Sequence, residues 1–68
     1  MNDICILDDV VNDLEHQDYE QAMIDIAELE GGVYDQIKTL ISFQEYERAR
    51  RLAIKVIINT LNELELED

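Results

Sequence analysis

Residues 45–64 read EYERARRLAIKVIINTLNEL. This stretch contains four of the five Lys and Arg residues of the chain and its longest apolar run. At 100° per residue its apolar side chains cover roughly 240°, far more than the ~100° stripe of a helix that rests on one core. Its polar wedge includes Arg48, Arg51 and Lys55. The pattern predicts a helix packed on two sides, either at the centre of a small bundle or partly in a subunit interface.

The start of this helix is indicated by Ser42 and Glu45, which have the spacing of a capping box. Upstream, Gly31-Gly32 suits a left-handed helix C-cap. Apolar spacing predicts three earlier helices, at residues 3–15, 19–30 and 33–41. A single helix over 3–30 is an alternative, because no Gly or Pro interrupts that segment. We expect one all-α domain over residues 1–68, a small bundle of three to four helices arranged as two helical hairpins, with the last residues frayed.

The size of the chain limits how it can be stabilised. A domain of 68 residues has a marginal core. Cys5 is the only cysteine, so no disulfide can form within the chain, and its apolar neighbours favour a buried thiol in a reducing compartment. Oligomerisation or a bound partner is then the usual source of stability. We expect a homodimer through the apolar arc of the last helix, at Ile54, Ile58 and Leu61, or else an unstable monomer.

Charge is the strongest compositional signal. The net charge is −12, and residues 1–30 contain ten acids without a Lys or Arg. This balance disfavours direct binding to nucleic acid or to an anionic membrane and favours a basic protein partner, although an acidic surface can also serve solubility alone. The candidate partner-binding face consists of the acids of the first half: Asp8, Asp9, Asp13, Glu20, Asp25 and Glu28.

Motifs for catalysis, metal binding or cofactor binding are missing from the sequence. His16 is the only histidine, and the acids lack the spacing of a calcium loop. A chain this short has little bulk for a pocket that separates the pKa values of two carboxyl groups. We therefore expect no enzyme activity, no cofactor and no metal. With neither a signal peptide nor an apolar run of membrane-spanning length, we expect a cytoplasmic protein.

An internal repeat of 27 residues aligns residues 6–32 with residues 33–59. The segments DYEQA (18–22) and EYERA (45–49) hold equivalent positions in it. These segments resemble the turn between the two helices of a tetratricopeptide repeat. The resemblance implies that Tyr and Ala pack the second helix onto the first and that a groove binds a peptide or helix. The period is shorter than the usual ~34 residues, and Gln17 and Gln44 stand in place of the turn glycine.

In size and charge the chain resembles small acidic counter-defence proteins of phages, including anti-CRISPR proteins. That likeness implies an inhibitor or nucleic-acid mimic that occupies a basic surface. Small acidic hairpins also resemble the needle-subunit co-chaperones of type III secretion, which implies an adaptor or chaperone, and a structural homo-oligomer is a third possibility. We expect the basic stripe Arg48, Arg51 and Lys55 either to stay solvated, with Glu47 and Arg51 as a local pair, or to dock on an acidic face of a second copy.

Overall fold

The protein folds into four α-helices joined by short turns. The computed structural model describes the backbone of residues 3–66 and the side chains of residues 3–63. The helices are α1 (Asp3–Glu15), α2 (Tyr19–Ile26), α3 (Gly32–Ser42) and α4 (Tyr46–Leu66). The described residues form no strand. The predicted all-α class is therefore confirmed.

The four helices form a closed ring around a shared core. α1 packs against α2 and α4, and α3 packs against the same two helices. Within the described residues, the backbones of the opposite helices, α1 with α3 and α2 with α4, do not come close to each other. Successive helices α1–α2 and α3–α4 are antiparallel hairpins, as predicted. The bundle measures 38 × 21 × 20 Å. The contacts of α4 with α1 and α3 use part of its wide apolar arc, while Ile58 and Leu61 remain exposed.

The core combines bulky side chains from three helices with small ones from α4. The buried set is Leu7, Val10, Val11 and Leu14 of α1, Ala22 and Ile26 of α2, Leu29 of the following turn, Ile37 and Ile41 of α3, and Ala49 and Ala53 of α4. Because alanine lets helix axes come close, α4 approaches its two neighbours at Ala49 and Ala53. Its larger side chains, such as Leu52 and Val56, lie half-buried along the flanks of the contact.

The break between α1 and α2 depends on one residue with a left-handed backbone. Gln17 has φ = 63°. Its backbone N–H donates to the backbone carbonyl of Leu14 at 3.2 Å, and the backbone N–H of Asp18 donates to the backbone carbonyl of Asp13 at 2.8 Å. This is the double hydrogen bond of a Schellman cap, which satisfies the last carbonyls of α1. It ends the first helix although no Gly or Pro is present, so two helices form instead of one.

The turn between α3 and α4 repeats this geometry. Gln44 also has φ = 63°. Its amide donates to Ile41 at 3.0 Å, and the Glu45 amide donates to Leu40 at 2.8 Å. The donors and acceptors of these two hydrogen bonds each lie 27 residues after their counterparts in the first turn. The sequence repeat therefore corresponds to a repeated helix reversal.

Three local predictions are wrong. Ser42 belongs to the last turn of α3, so it does not cap α4, which starts at Tyr46. Gly31, with φ = 101°, is the N-cap of α3 rather than a C-cap of the preceding helix, because α2 already ends at Ile26. Cys5 is exposed, since it lies on the outer side of α1. The backbone of α4 also continues to Leu66, beyond the predicted onset of fraying.

The two hairpins meet through equivalent tyrosines. The rings of Tyr19 and Tyr46 are stacked, with centroids 3.6 Å apart and planes inclined by 3°. Ala22 and Ala49, one helical turn further on, are fully buried. A residue that contacts its own equivalent lies at an approximate two-fold axis. Such an axis would also relate α1 to α3 and α2 to α4, so that the α1–α4 contact corresponds to the α2–α3 contact. The stack therefore lies on the approximate axis.

Gln17→Gly and Gln44→Gly should each stabilise the protein by about 0.5–1 kcal/mol. A left-handed backbone costs a residue with a Cβ about 1–2 kcal/mol, and part of the gain is lost to the greater freedom of glycine in the unfolded chain. The measurement is the free energy of unfolding in urea. Gln36→Gly is the matched control, because this exposed glutamine lies inside α3, where glycine should destabilise by about 1 kcal/mol. Equal effects at all three positions would contradict the proposed role of the caps.

Candidate functional site

Two grooves flank the tyrosine stack, one on each side. The first groove lies where the end of α1 meets the start of α4, and we call it the polar groove. Its lining residues are Leu14, Glu15, Gln17, Tyr19, Tyr46, Glu47 and Arg50. Arg50 donates to Glu47 at 2.8 Å and reaches Glu15 of α1 at 3.5 Å. Its guanidinium thus connects the two walls of this groove.

The charges of the polar groove are mutually compensated. The hydrogen bond from Arg50 lowers the pKa of Glu47, and the charges of Arg50 and Arg51 add to this effect. In turn, the hydrogen bond to Glu47 raises the pKa of Arg50, and the charges of Glu47 and Glu15 add to this effect. The Nε of Arg51 lies 3.3 Å from Oε1 of Glu47, and the Nε of Arg48 lies 3.5 Å from Oε1 of Glu45. Each arginine of α4 is therefore paired with an acid of its own chain.

The second groove lies between α2 and α3, and we call it the apolar groove. Its lining residues are Tyr19, Glu20, Met23, Ile24, Ile41 and Tyr46. Its volume is about 460 Å³, which is within the range of small binding pockets. Ile24 at its rim is 60% exposed, and no acid–base pair closes it within the described residues. This groove offers an open apolar surface with a single carboxylate.

The repeat relates the two grooves residue by residue. Tyr19 and Tyr46 exchange places, and Glu20 corresponds to Glu47. Met23 and Ile24 hold the positions that Arg50 and Arg51 hold in the second hairpin. The same backbone thus carries a paired arginine on one side and an apolar side chain on the other. As a result Glu20, unlike Glu47, has no ion pair in the part of the chain that the structure describes.

The seam between α1 and α2 contains a close pair of carboxyl groups. Asp13 of α1 lies against Asp25 of α2, and one Asp13 oxygen is buried without a hydrogen-bond partner. Two carboxylates have only acceptors to offer each other, so a hydrogen bond forms only when one of them is protonated. Burial raises the pKa of Asp13 to about 6, with the hydrogen bond to Asp25 and the charges of Asp25, Asp18 and Asp9 adding to the shift.

The second hairpin has leucines at the positions of this acid pair. Leu40 and Leu52 are the equivalents of Asp13 and Asp25, and both are partly buried against the core. Apolar side chains therefore fit this seam in the same backbone geometry. The first hairpin thus has two half-buried acids where the second has leucines, and burial of the Asp13 carboxyl group disfavours its charged form.

The six acids predicted to bind a partner lie on the α1–α2 half but do not form one plane. Asp13 and Asp25 face each other in the seam, half-buried, with Asp9 close enough to act on Asp13 electrostatically. Glu20 is on the opposite side of α2, at the apolar groove. The remaining two acids, Asp8 and Glu28, are exposed on α1 and after α2. The first half is therefore acidic around much of its circumference.

The residues predicted for self-association are only partly available. Ile58 and Leu61 of α4 are 50% and 46% exposed, whereas Ile54 is half-buried against the core. In the basic stripe, Arg51 pairs with Glu47 as predicted, and Lys55 is exposed. Within the described residues the stripe makes no ion pair or hydrogen bond with α1. Arg50, which the stripe omits, is the cation that reaches the acidic half.

The apolar groove and Arg50 were not predicted as functional features. The signal was present in the repeat, since alignment at 27 residues places Met23 and Ile24 opposite Arg50 and Arg51. The depth of the groove could not be inferred, because it depends on how α2 and α3 approach.

Other site classes find no support in the described residues. No group of three or more potential metal ligands occurs among them. His16 is exposed and its Nδ1 lies 2.8 Å from the Asn12 carbonyl, as expected of a residue at a helix end. None of the described helices combines the length and the apolar character needed to cross a bilayer.

No protein-family model matches the chain, and neither a curated protein nor a solved structure is similar enough to match it. The resemblances to tetratricopeptide turns and to phage inhibitors therefore stay predictions.

Asp13→Asn should stabilise the protein at pH 8 by about 1–2 kcal/mol, and this gain should vanish near pH 4. The folded pKa of about 6 exceeds the unfolded value of 3.8, so the folded state binds the proton more tightly. In the wild type the stabilisation that comes from protonated Asp13 is complete below pH 3.8, and it is lost as the pH rises through about 6. Urea unfolding across pH 4–8 measures the difference between variant and wild type. Asp8→Asn, at an exposed acid of the same helix, is the control and should show no such pH-dependent difference.

Ile58→Glu should shift the chain towards monomer if α4 forms the predicted dimer interface. A buried charge at the centre of a small interface disrupts it, while the core stays intact because Ile58 is half exposed. Sedimentation at several concentrations measures the change. Phe43→Glu is the control, since Phe43 is 72% exposed and lies outside α4. A wild-type chain that remains a folded 7.9 kDa monomer at high concentration would show that α4 does not mediate self-association.

Proposed function

We propose that this chain is a cytoplasmic protein-binding module, not an enzyme, whose acidic first hairpin occupies a basic surface of a nucleic-acid-binding protein. In this role it is an inhibitor or nucleic-acid mimic of the phage counter-defence type. The observation that carries the proposal is the difference between two hairpins of the same geometry. Residues 31–68 build their hairpin with a net charge of −2, whereas residues 1–30 carry −10. Folding therefore does not require the acids of the first half.

Solubility explains only part of this charge. A magnitude of about 2–8 is enough for a small domain, and this chain has −12. The acids also remain at the costly positions Asp13 and Asp25, where the second hairpin has leucines. Residues that lower stability without a structural benefit are typical of functional surfaces.

The excess of acid in the first hairpin suits a basic surface that holds nucleic acid. Residues 1–30 carry ten acids without a Lys or Arg. Carboxylates on this folded scaffold can take the place of backbone phosphates at a cationic surface.

A second candidate function is that of an adaptor or chaperone, such as a needle-subunit co-chaperone. The exposed apolar pair Ile58 and Leu61 on α4 favours it. Such a surface would shield an apolar partner helix, and its binding would depend little on salt. The two candidates therefore differ in the surface used and in their response to ionic strength.

Amide substitution of the four exposed acids Asp8, Asp9, Glu20 and Glu28 should abolish partner capture that the wild type shows at low salt. Long-range attraction and the association rate depend on these charges. The experiment is a pull-down from the native cytoplasm at about 50 mM and about 500 mM salt, followed by identification of the partner and competition with single-stranded DNA.

The matched control replaces four exposed acids of the second hairpin, Asp35, Glu45, Glu47 and Glu63, and reaches the same net charge. It should retain the partner. Capture that resists high salt, or a partner that holds the chain and DNA simultaneously, would contradict the mimic and favour the adaptor.

A further inference from the structure

We propose that the apolar groove between α2 and α3 binds an amphipathic helix of a basic partner protein. One apolar side chain of that helix enters beside Tyr19 and Tyr46, and an adjacent Arg or Lys pairs with Glu20. The proposal rests on the proposed function, since it assumes a basic partner. It adds the place where that partner is anchored and the kind of segment that fits.

The groove has the composition of an anchoring pocket. Its walls are a stacked tyrosine pair, Met23 and the buried Ile41, with Ile24 projecting at the rim. Aromatic side chains and methionine are enriched at protein interfaces, where they supply contact area at low entropic cost. The two tyrosine rings stack on each other within the chain, so this part of the groove is formed without a partner.

The polar groove shows how the apolar groove can be filled. In the second hairpin Arg50 lines the polar groove together with the two tyrosines and pairs with Glu47 at 2.8 Å. In the first hairpin the carboxylate is kept as Glu20, but Met23 replaces the arginine. A partner's guanidinium can therefore meet Glu20 as Arg50 meets Glu47, while the space beside it takes an apolar side chain. The charge complementarity is built into the repeat.

A second copy of this chain fits the groove less well than a basic partner. Each copy carries −12, so two acidic halves repel each other. The arginines of α4 are also engaged by their own glutamates, Glu45 and Glu47. Lys55 is exposed, but one lysine does not offset the repulsion between two chains of −12, so a basic partner supplies the cation better than a second copy does.

The probe is a synthetic, end-capped helical peptide of about 18 residues with leucines on one face and arginines beside them. A second peptide has glutamates in place of the arginines. Chemical-shift mapping by NMR should show the arginine peptide perturbing Met23, Ile24 and Ile41 methyl groups and the Tyr19 and Tyr46 rings. The glutamate peptide should not bind.

Met23→Arg copies the second hairpin and should weaken peptide binding by about tenfold or more. The new arginine would pair with Glu20 at the same i, i+3 spacing as Arg50 and Glu47, and would fill the groove. Phe43→Arg is the matched control, because it also adds an arginine at an exposed apolar residue but lies outside the lining, and it should bind as wild type does. Glu20→Gln, a variant that leaves the apolar lining intact, should weaken the arginine peptide more than Glu28→Gln does.

Unchanged binding by Met23→Arg, or shifts confined to α1 or to Ile58, would overturn the groove proposal. A different result is that the variant with amides at Asp8, Asp9, Glu20 and Glu28 no longer binds the peptide while Met23→Arg still binds it. The acidic surface would then be the binding site, and only the anchoring in the groove would be wrong. If neither variant changes binding, the proposed function fails as well. Self-association that Met23→Arg abolishes would identify a second copy as the occupant and would also overturn the proposal.

Discussion

The whole arrangement depends on two helix reversals, each made by one left-handed glutamine. Gln17 and Gln44 end α1 and α3 with the same pair of backbone hydrogen bonds. Because the reversals are the same, the two hairpins present equivalent tyrosines, and these can stack on each other across an approximate two-fold axis. Glycine is the usual residue at such a cap. The strain of a side chain at these positions is borne by the packing of the helices on both sides.

One backbone repeated twice supports two different surfaces. At one side of the tyrosine stack Arg50 connects α1 and α4 and neutralises the acids around it. At the other side Met23 and Ile24 leave an apolar groove with Glu20 at its edge. Since the helices are held by the same core, side-chain substitutions at equivalent positions changed the chemistry without changing the fold. An acidic, partly apolar face and a balanced one therefore coexist in a single small bundle.

The acid pair in the first hairpin links charge to stability. Asp13 and Asp25 face each other where Leu40 and Leu52 pack in the second hairpin. Above about pH 6 the ionised Asp13 places a second negative charge beside Asp25, which destabilises the α1–α2 seam. Positive charge brought to the seam by the proposed partner would relieve this repulsion, and its binding would then stabilise the fold.

Local sequence alone determined the all-α class, the hairpin order and most of the core, because apolar spacing in residues such as Leu7, Val10 and Leu14 follows the helical period. It also determined the excess of acid in the first half. The ends of α1 and α3 are local as well, and they lie within one residue of the positions that the sequence predicted. The tertiary structure decided the features that depend on how elements meet. Three features depend on residues of different helices, whose distances are set only when the four helices close into a ring. They are the apolar groove, the ion pairs by which Arg50 connects the walls of the polar groove, and the contact of Asp13 with Asp25.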